Sequence, residues 1–459
     1  MSLRDLHLDL DRDAVLPLPA QIAAAVRAAV RAGTLVPGDR LPGSRTLADH
    51  LGLARGTVET AYEQLRTEGY LVSRPRGGTY LDPDLPASAL RALPDPGHVA
   101  PARTGPPVRI DLRPGAGSRP ITAESRFRAA WRAALDLPSD TADPNGIPRL
   151  RWAISEHLRL MRGITVDPDH ILVTGGSRDG LALALRALAS PAQTLTVAVE
   201  DPGFPGLRRT LDEVTVLPVP VDEHGMSVEA LDALAAAGER ISALLLTPNH
   251  QFPHGTTMPA GRRAALLAWA RTHGTVVLED DYDSEARYAG PLVPPMWESA
   301  PDTVVHIGTF STVLTREVST GYVVATGHLG ARMRRLRAAS GAATPLLVQK
   351  AVAEYLASGG LRARIARGRR RMRAAERVAA GFRDLPGLVE AGRSLVVEMP
   401  AERARAVRAA LAESGVRVGD LSEGWSGRAR RHGIVIAHPA AEPAELRTVL
   451  ERLRALLTG

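Results

Sequence analysis

The chain has 459 residues, 44% of them hydrophobic, enough to bury a large core and to form more than one domain. It contains no cysteine, which excludes disulfides, thiolate metal sites and cysteine nucleophiles and suits a reducing cytoplasm. The net charge of +7 permits a polyanionic partner without requiring one, and of the 57 lysines and arginines only Lys350 is lysine.

The first residues place Asp5, Asp9, Asp11 and Asp13 among leucines, unlike a targeting peptide. From Gln21 to Ala32, Ile22, Val26 and Val30 recur at helical spacing. A turn from Gly33 to Pro42 follows, and Ser44 is placed to cap a second helix over Arg45–His50. Leu51-Gly52-Leu53 breaks that helix, and Arg55-Gly56-Thr57-Val58 opens a third. Two short helices about a glycine turn form a helix-turn-helix, whose second helix enters the major groove by its first residues, here Arg55, Gly56 and Thr57. Ser73-Arg74-Pro75-Arg76-Gly77-Gly78 then reads as a hairpin wing, its arginines and glycine tip suited to phosphate or the minor groove. A plain three-helix bundle with solvated arginines has the same periodicity.

Between Asp82 and Pro107 stand seven prolines and no apolar periodicity, the pattern of a semi-extended linker. The expected division is therefore a head of residues 1–81, a linker of 82–107 and a large domain of 108–459. Compact apolar runs then alternate with helical stretches. Strands are expected at Ile171–Thr174, Leu195–Val199, Ala243–Leu246, Val276–Leu278, Val304–Ile307 and Tyr322–Ala325, with helices such as Leu181–Ala189 and Arg262–Thr272 between them. That alternation predicts an α/β fold with a mainly parallel sheet covered on both faces. A smaller α/β subdomain over about 340–459 closes the chain, with helices at 361–383, 402–414 and 443–457 and strands at 394–398 and 433–437. No run reaches membrane-spanning length, because Gly180–Ser190 is broken by Arg186.

Read together, Leu41-Pro42-Gly43-Ser44-Arg45-Thr46-Leu47-Ala48, Leu51 to Val58, Ala61-Tyr62-Glu63-Gln64-Leu65 and Glu68-Gly69-Tyr70-Leu71 resemble the GntR-type winged helix. By that resemblance Ser44, Arg45, Arg55, Gly56, Thr57, Arg74, Arg76 and Gly77 fall at the interface with double-stranded DNA. Further strings occur in the order of the fold-type I aminotransferases: Asp143-Pro144-Asn145-Gly146, Thr174-Gly175-Gly176-Ser177, Glu200-Asp201-Pro202-Gly203-Phe204, Thr247-Pro248-Asn249-His250, Glu279-Asp280-Asp281-Tyr282 and Gly308-Thr309-Phe310-Ser311. The whole is similar to the MocR branch of GntR regulators, a winged helix fused to an aminotransferase-like effector domain. The resemblance implies a head-to-tail homodimer and a pyridoxal phosphate pocket. Gly176 and Ser177 would hold the phosphate, Asp280 the pyridine nitrogen and Tyr282 the ring hydroxyl, while Phe204, His250 and Ser311 would line the site.

The pattern breaks where the cofactor should bond. The family's aldimine lysine is Thr312 here, and its phosphate-binding arginine is Ser319. The glutamines after the phosphate turn are Arg178 and Asp179, and the tyrosine ahead of Asp143-Pro144 is Thr141. A hydroxyl forms no imine, so covalent pyridoxal phosphate is not expected, and Lys350 is expected on a solvated helix face. No catalytic residue and no metal ligand is assigned. Arg431 falls near the position that would hold a carboxylate, which suggests a small anionic effector. Three functions follow: a regulator without covalent cofactor, a regulator binding pyridoxal phosphate non-covalently, and an active aminotransferase, against which Thr312 stands.

Overall fold

The computed structural model describes residues 10–12, 16–74, 78–85, 108–115, 121–136, 143–190, 194–282, 293–342, 344–392, 394–437 and 442–458, the Arg316 side chain excepted. Two compact units divide the chain, residues 1–104 and 105–459.

In the first unit, α1 (Leu18–Ala32) starts three residues before the apolar periodicity does, because Pro19 is tolerated in a first turn that needs no donor. It ends at Gly33, φ 73°. Helix α2 (Ser44–Leu51) begins at Ser44 itself with Gly43 as its cap, so the serine is not the cap expected of it. Helix α3 (Arg55–Thr67) leads into the hairpin β2 (Leu71–Arg74) and β3 (Gly78–Leu81), to which β1 (Arg40–Leu41) adds on the β3 edge. Ile22, Val26, Val30, Leu47, Val58, Leu65 and Leu81 form one buried cluster. The Tyr62 hydroxyl donates to the Pro42 carbonyl at 2.9 Å, and Arg27 pairs with Glu68 at 2.7 Å, tying α1 to the end of α3. Pro75, Arg76 and Gly77, the expected wing tip, lie outside the described residues, as does the linker from Pro86 to Pro107.

The second unit opens with β4 (Ile110–Leu112), α4 (Ser125–Asp136), α5 (Pro148–Arg162), β5 (Ile171–Thr174) and α6 (Ser177–Leu188). Strands β6 (Thr196–Asp201), β7 (Thr215–Asp222), β8 (Gly225–Met226) and β9 (Ala243–Leu246) follow, then α7 (Ala260–His273), β10 (Val276–Asp281), β11 (Val304–Thr309) and β12 (Gly321–Val324). Next come α8 (Gly327–Ser340), α9 (Leu346–Ala357) and α10 (Gly360–Ala380). The chain closes with β13 (Leu388–Ala391), β14 (Ser394–Glu398), α11 (Ala401–Glu413), β15 (Val416–Asp420), β16 (Gly433–Ala437) and α12 (Pro443–Thr458).

The main sheet runs β5-β12-β11-β10-β9-β6-β7-β8. Its centre, β11-β10-β9-β6-β7, is parallel; β12 is antiparallel to both neighbours and β8 to β7. Strand side chains alternate between two cores. Ala198, Leu244 and Val277 pack with Ile154 of α5 and Val352 of α9 on one face, while Val199, Leu278 and Ile307 pack with Leu181 of α6 and Met333 of α8 on the other. Strand β7 has no counterpart among the expected strands, since Pro218 and Pro220 interrupt its apolar run.

Lys350 is 5% exposed, contrary to the expected solvated position. Helix α9 buries Gln349, Lys350, Ala351, Val352, Ala353 and Tyr355 together, because neighbouring helices cover it on several sides and no face is left for solvent along that turn. A second sheet, β13-β14-β16-β15-β4, carries its own core. Its β4 strand comes from residues 110–112 and pairs in parallel with β15, so the expected subdomain of 340–459 is completed from the start of the unit.

Candidate DNA interface and effector pocket

On the first unit, Arg55, Gly56 and Thr57 form the first turn of α3, where the helix dipole favours an anion and the Thr57 N–H is bonded to the Ala54 carbonyl at 3.0 Å. Arg45, Arg55 and Gly56 are exposed, and a side chain at Gly56 would meet no atom within 4 Å. The Arg55 guanidinium pairs with Glu59 at 2.7 Å, and the Ser44 hydroxyl donates to the same carboxylate at 3.4 Å. Glu59 thus joins two predicted DNA-contacting residues. Glu59 is not among the residues expected at the DNA, although its i,i+4 spacing from Arg55 is a visible signal. Arg74, on β2, lies over the Tyr80 ring at 4.8 Å.

In the second unit, the predicted pocket residues gather where α6 begins and β10 ends. Gly176 turns at φ 108° into α6, and its place for a Cβ lies 3.9 Å from the Ser311 hydroxyl. Strand β12 passes so close beneath that a Cβ on Gly321 would meet Gly308 O at 2.7 Å and Gly176 Cα at 2.9 Å. Ser177 is half-buried in the first turn. Asp280 is 2% exposed near the end of β10. The Tyr282 hydroxyl donates to the His250 carbonyl at 2.9 Å, and its ring lies 6.2 Å from Phe204 and 5.9 Å from His250, nearly parallel to both. Thr312 donates its hydroxyl to the Tyr282 carbonyl at 2.6 Å.

The other substituted positions act on the same turn. Asp179 accepts the Gly175 N–H at 3.0 Å and the Arg337 Nη2 at 2.6 Å. Ser319, the one described non-glycine residue with positive φ, at 42°, donates to the Gly175 carbonyl at 2.9 Å. Arg178 donates to the Gly206 carbonyl at 3.1 Å. Thr141 lies outside the described residues. Arg431 pairs with Glu398 at 2.8 Å. Burial and then the Arg431 charge hold the His254 imidazole below its usual range.

Behind the pocket, on the opposite face of β10, charges are matched in a buried network that the sequence did not reveal. Asp281 pairs with Arg162 and accepts from Asn249 at 3.1 Å, and Glu279 lies 3.0 Å from His306 Nδ1 and accepts the Met296 N–H at 2.7 Å. Such groups are tolerated in an interior only when paired. They fix the strand end that presents Asp280 and Tyr282. Among the described residues no group of three or more acidic or histidine side chains is arranged to hold a metal, and no helix is long and apolar enough to cross a membrane.

The arrangement is that of a DNA-binding head joined to a domain of aminotransferase fold. Residues 18–81 match the bacterial regulatory proteins, gntR family, and residues 127–452 match aminotransferase class I and II. The HTH-type pyridoxine biosynthesis transcriptional regulator PdxR of Corynebacterium glutamicum is 38% identical, over 98% of each chain. The probable rhizopine catabolism regulatory protein MocR of Rhizobium meliloti is 31% identical over 79% of this chain and 76% of its own. Among solved structures, an archaeal alanine:glyoxylate aminotransferase superposes with a TM-score of 0.68 at 21% identity, covering 76% of this chain and 90% of that one, a likeness of fold alone. The chain belongs to the MocR-type branch of the gntR family of transcription regulators.

Proposed function

We propose that this regulator binds double-stranded DNA in the cytoplasm through Ser44, Arg45, Arg55, Gly56, Thr57 and the wing carrying Arg74, Arg76 and Gly77. Its aminotransferase-like domain acts as an effector-sensing and dimerising module that neither bonds pyridoxal phosphate covalently nor transaminates. The observation that carries this is Thr312: it offers no amine, and its hydroxyl is already committed to the Tyr282 carbonyl. Lys350 is a poor substitute, since α9 packs with the core on the sheet face opposite to the one Asp280 points toward by strand alternation. The positions for the phosphate are also altered, with Ser319 and Asp179 both engaged on Gly175. These residues do not fit pyridoxal phosphate held as an aldimine.

Non-covalent binding of the same cofactor is supported by Asp280, Tyr282, Phe204 and His250, which still gather around one strand end. A carboxylate-bearing effector would call on Arg431, but that arginine is neutralised by Glu398. Dimerisation is supported by apolar side chains left on the surface of α4, α5 and α9, where Leu135 is 67%, Trp152 62% and Leu347 38% exposed. The head-to-tail arrangement follows the family. Titrating purified protein with pyridoxal phosphate tests the central point: a borohydride-reducible aldimine absorbance band defeats the proposal, and its absence with intact operator binding in a gel shift supports it.

A further inference from the structure

Helix α3 carries a negative charge on a surface meant for a polyanion. Glu59 stands one turn in from Arg55, and the two side chains are 48% and 62% exposed. A bare carboxylate there would be repelled by the phosphate backbone. Its pairing is one-sided. The Arg55 Nε and Nη2 lie 2.8 and 2.7 Å from Glu59 Oε1, and the Ser44 hydroxyl donates to that same oxygen at 3.4 Å. All three contacts fall on Oε1, so the charge is offset by Arg55 while Oε2 remains an acceptor open to solvent.

The groove offers such an acceptor few partners. Guanine presents N7 and O6, thymine O4, and adenine an N7 beside its amino group, all of which set a lone pair near the carboxylate. Cytosine alone presents an amino donor with no acceptor at its side. Gly56 has no side chain to hold the start of α3 away from the base edges. Residues four apart on a helix advance about 6 Å, against about 3.4 Å per base step, so Glu59 and Arg55 address different base pairs. Glu63 pairs in a similar way with Arg66 at 2.6 Å, but a turn further from the helix start that enters the groove.

We propose that Glu59 is a specificity-determining residue of the DNA interface, its Oε2 accepting from the N4 amino group of a cytosine one or two base pairs from the position of Arg55. The proposal rests on the DNA-binding function given above and names a base that the operator carries. Selection is by refusal as much as by attraction, since thymine or guanine at that position sets an acceptor against the carboxylate.

The test is selection of duplexes from a pool with a randomised centre by the full-length protein, followed by sequencing of what is retained. The wild type should favour cytosine at one position where Glu59→Ala lowers discrimination over thymine at least about fivefold, with the rest of the motif kept. Glu59→Gln, of the same shape, should move the preference at that position to adenine, because an amide pairs with adenine N6 and N7. Both variants change an exposed side chain and should melt as the wild type does. A wild-type motif in which no cytosine depends on Glu59 overturns the inference. So does a variant that loses only the base lost in Arg55→Ala, since Glu59 would then merely orient the arginine. Retention of no particular sequence by the wild type would instead defeat the DNA-binding function itself, which tells the two failures apart.

Discussion

Glu200, near the end of β6, is wholly enclosed and accepts both the hydroxyl of Thr247 at 2.5 Å and its N–H at 3.3 Å. Burial pushes its carboxyl from 4.5 up to about 7, against the pull of those bonds. A raised carboxyl favours the neutral folded form, so its contribution to stability is full below pH 4.5 and is lost as pH rises through about 7. The loss amounts to about 3 kcal/mol. Denaturant melts of wild type and Glu200→Gln across that window should show the wild type losing stability relative to the variant as pH rises; parallel curves would refute the assignment. Thr312 gives a second expectation at this scale. Thr312→Lys restores an amine but leaves Asp179 and Ser319 on Gly175, so pyridoxal phosphate should give a weak aldimine band until Ser319→Arg and Asp179→Gln are added. A full band at stoichiometric cofactor in the single variant would contradict this.

At the scale of elements, α3 and β12 show how a short segment is held by what it touches. The exposed Arg55 at the head of α3 is paired with Glu59, and, as the proposed DNA contact, an arginine held this way would lose less rotamer entropy on binding. Arg55→Ala should cost about 1–3 kcal/mol of discrimination at one base pair, read by competition among singly substituted operators. Equal loss on every sequence would mark Arg55 as a phosphate contact instead. For β12, Gly321→Ala places a methyl 2.7 Å from the Gly308 carbonyl oxygen, and an overpacked backbone contact of this kind costs about 1–3 kcal/mol. The loss should appear as a lower denaturation midpoint. Legibility followed the same logic. Strands with continuous apolar runs, such as Ile171–Thr174 and Ala243–Leu246, were read to the residue. Strand β7 was hidden by two prolines, and β4 by being three residues long with its partner near residue 416.

For the whole molecule, the two units each close a hydrophobic core of their own, as a winged helix and an aminotransferase-like domain must. The proposed pairing of the large domains would let two heads read a repeated site, since linked binding events raise the effective concentration of the second. Trp152→Asp, which charges the exposed α5 surface, should shift sedimentation toward the monomer and weaken binding to the full site far more than to a half-site. A dimer that persists with both affinities unchanged would place the interface elsewhere.

The sequence by itself determined the fold class, the helix-turn-helix and the absence of an amine at Thr312, because each rests on periodicity or on the chemistry of one side chain. It identified Asp179 and Ser319 as departures from the family without revealing what they do. Only the tertiary structure decided that Ser319 reaches Gly175 across 144 positions and that Arg337 reaches Asp179 across 158. It also decided that Lys350 is buried, for the period of a single helix does not tell how many neighbours will cover it. Local pattern fixes which groups a chain carries; which of them meet depends on long-range packing that no single segment encodes.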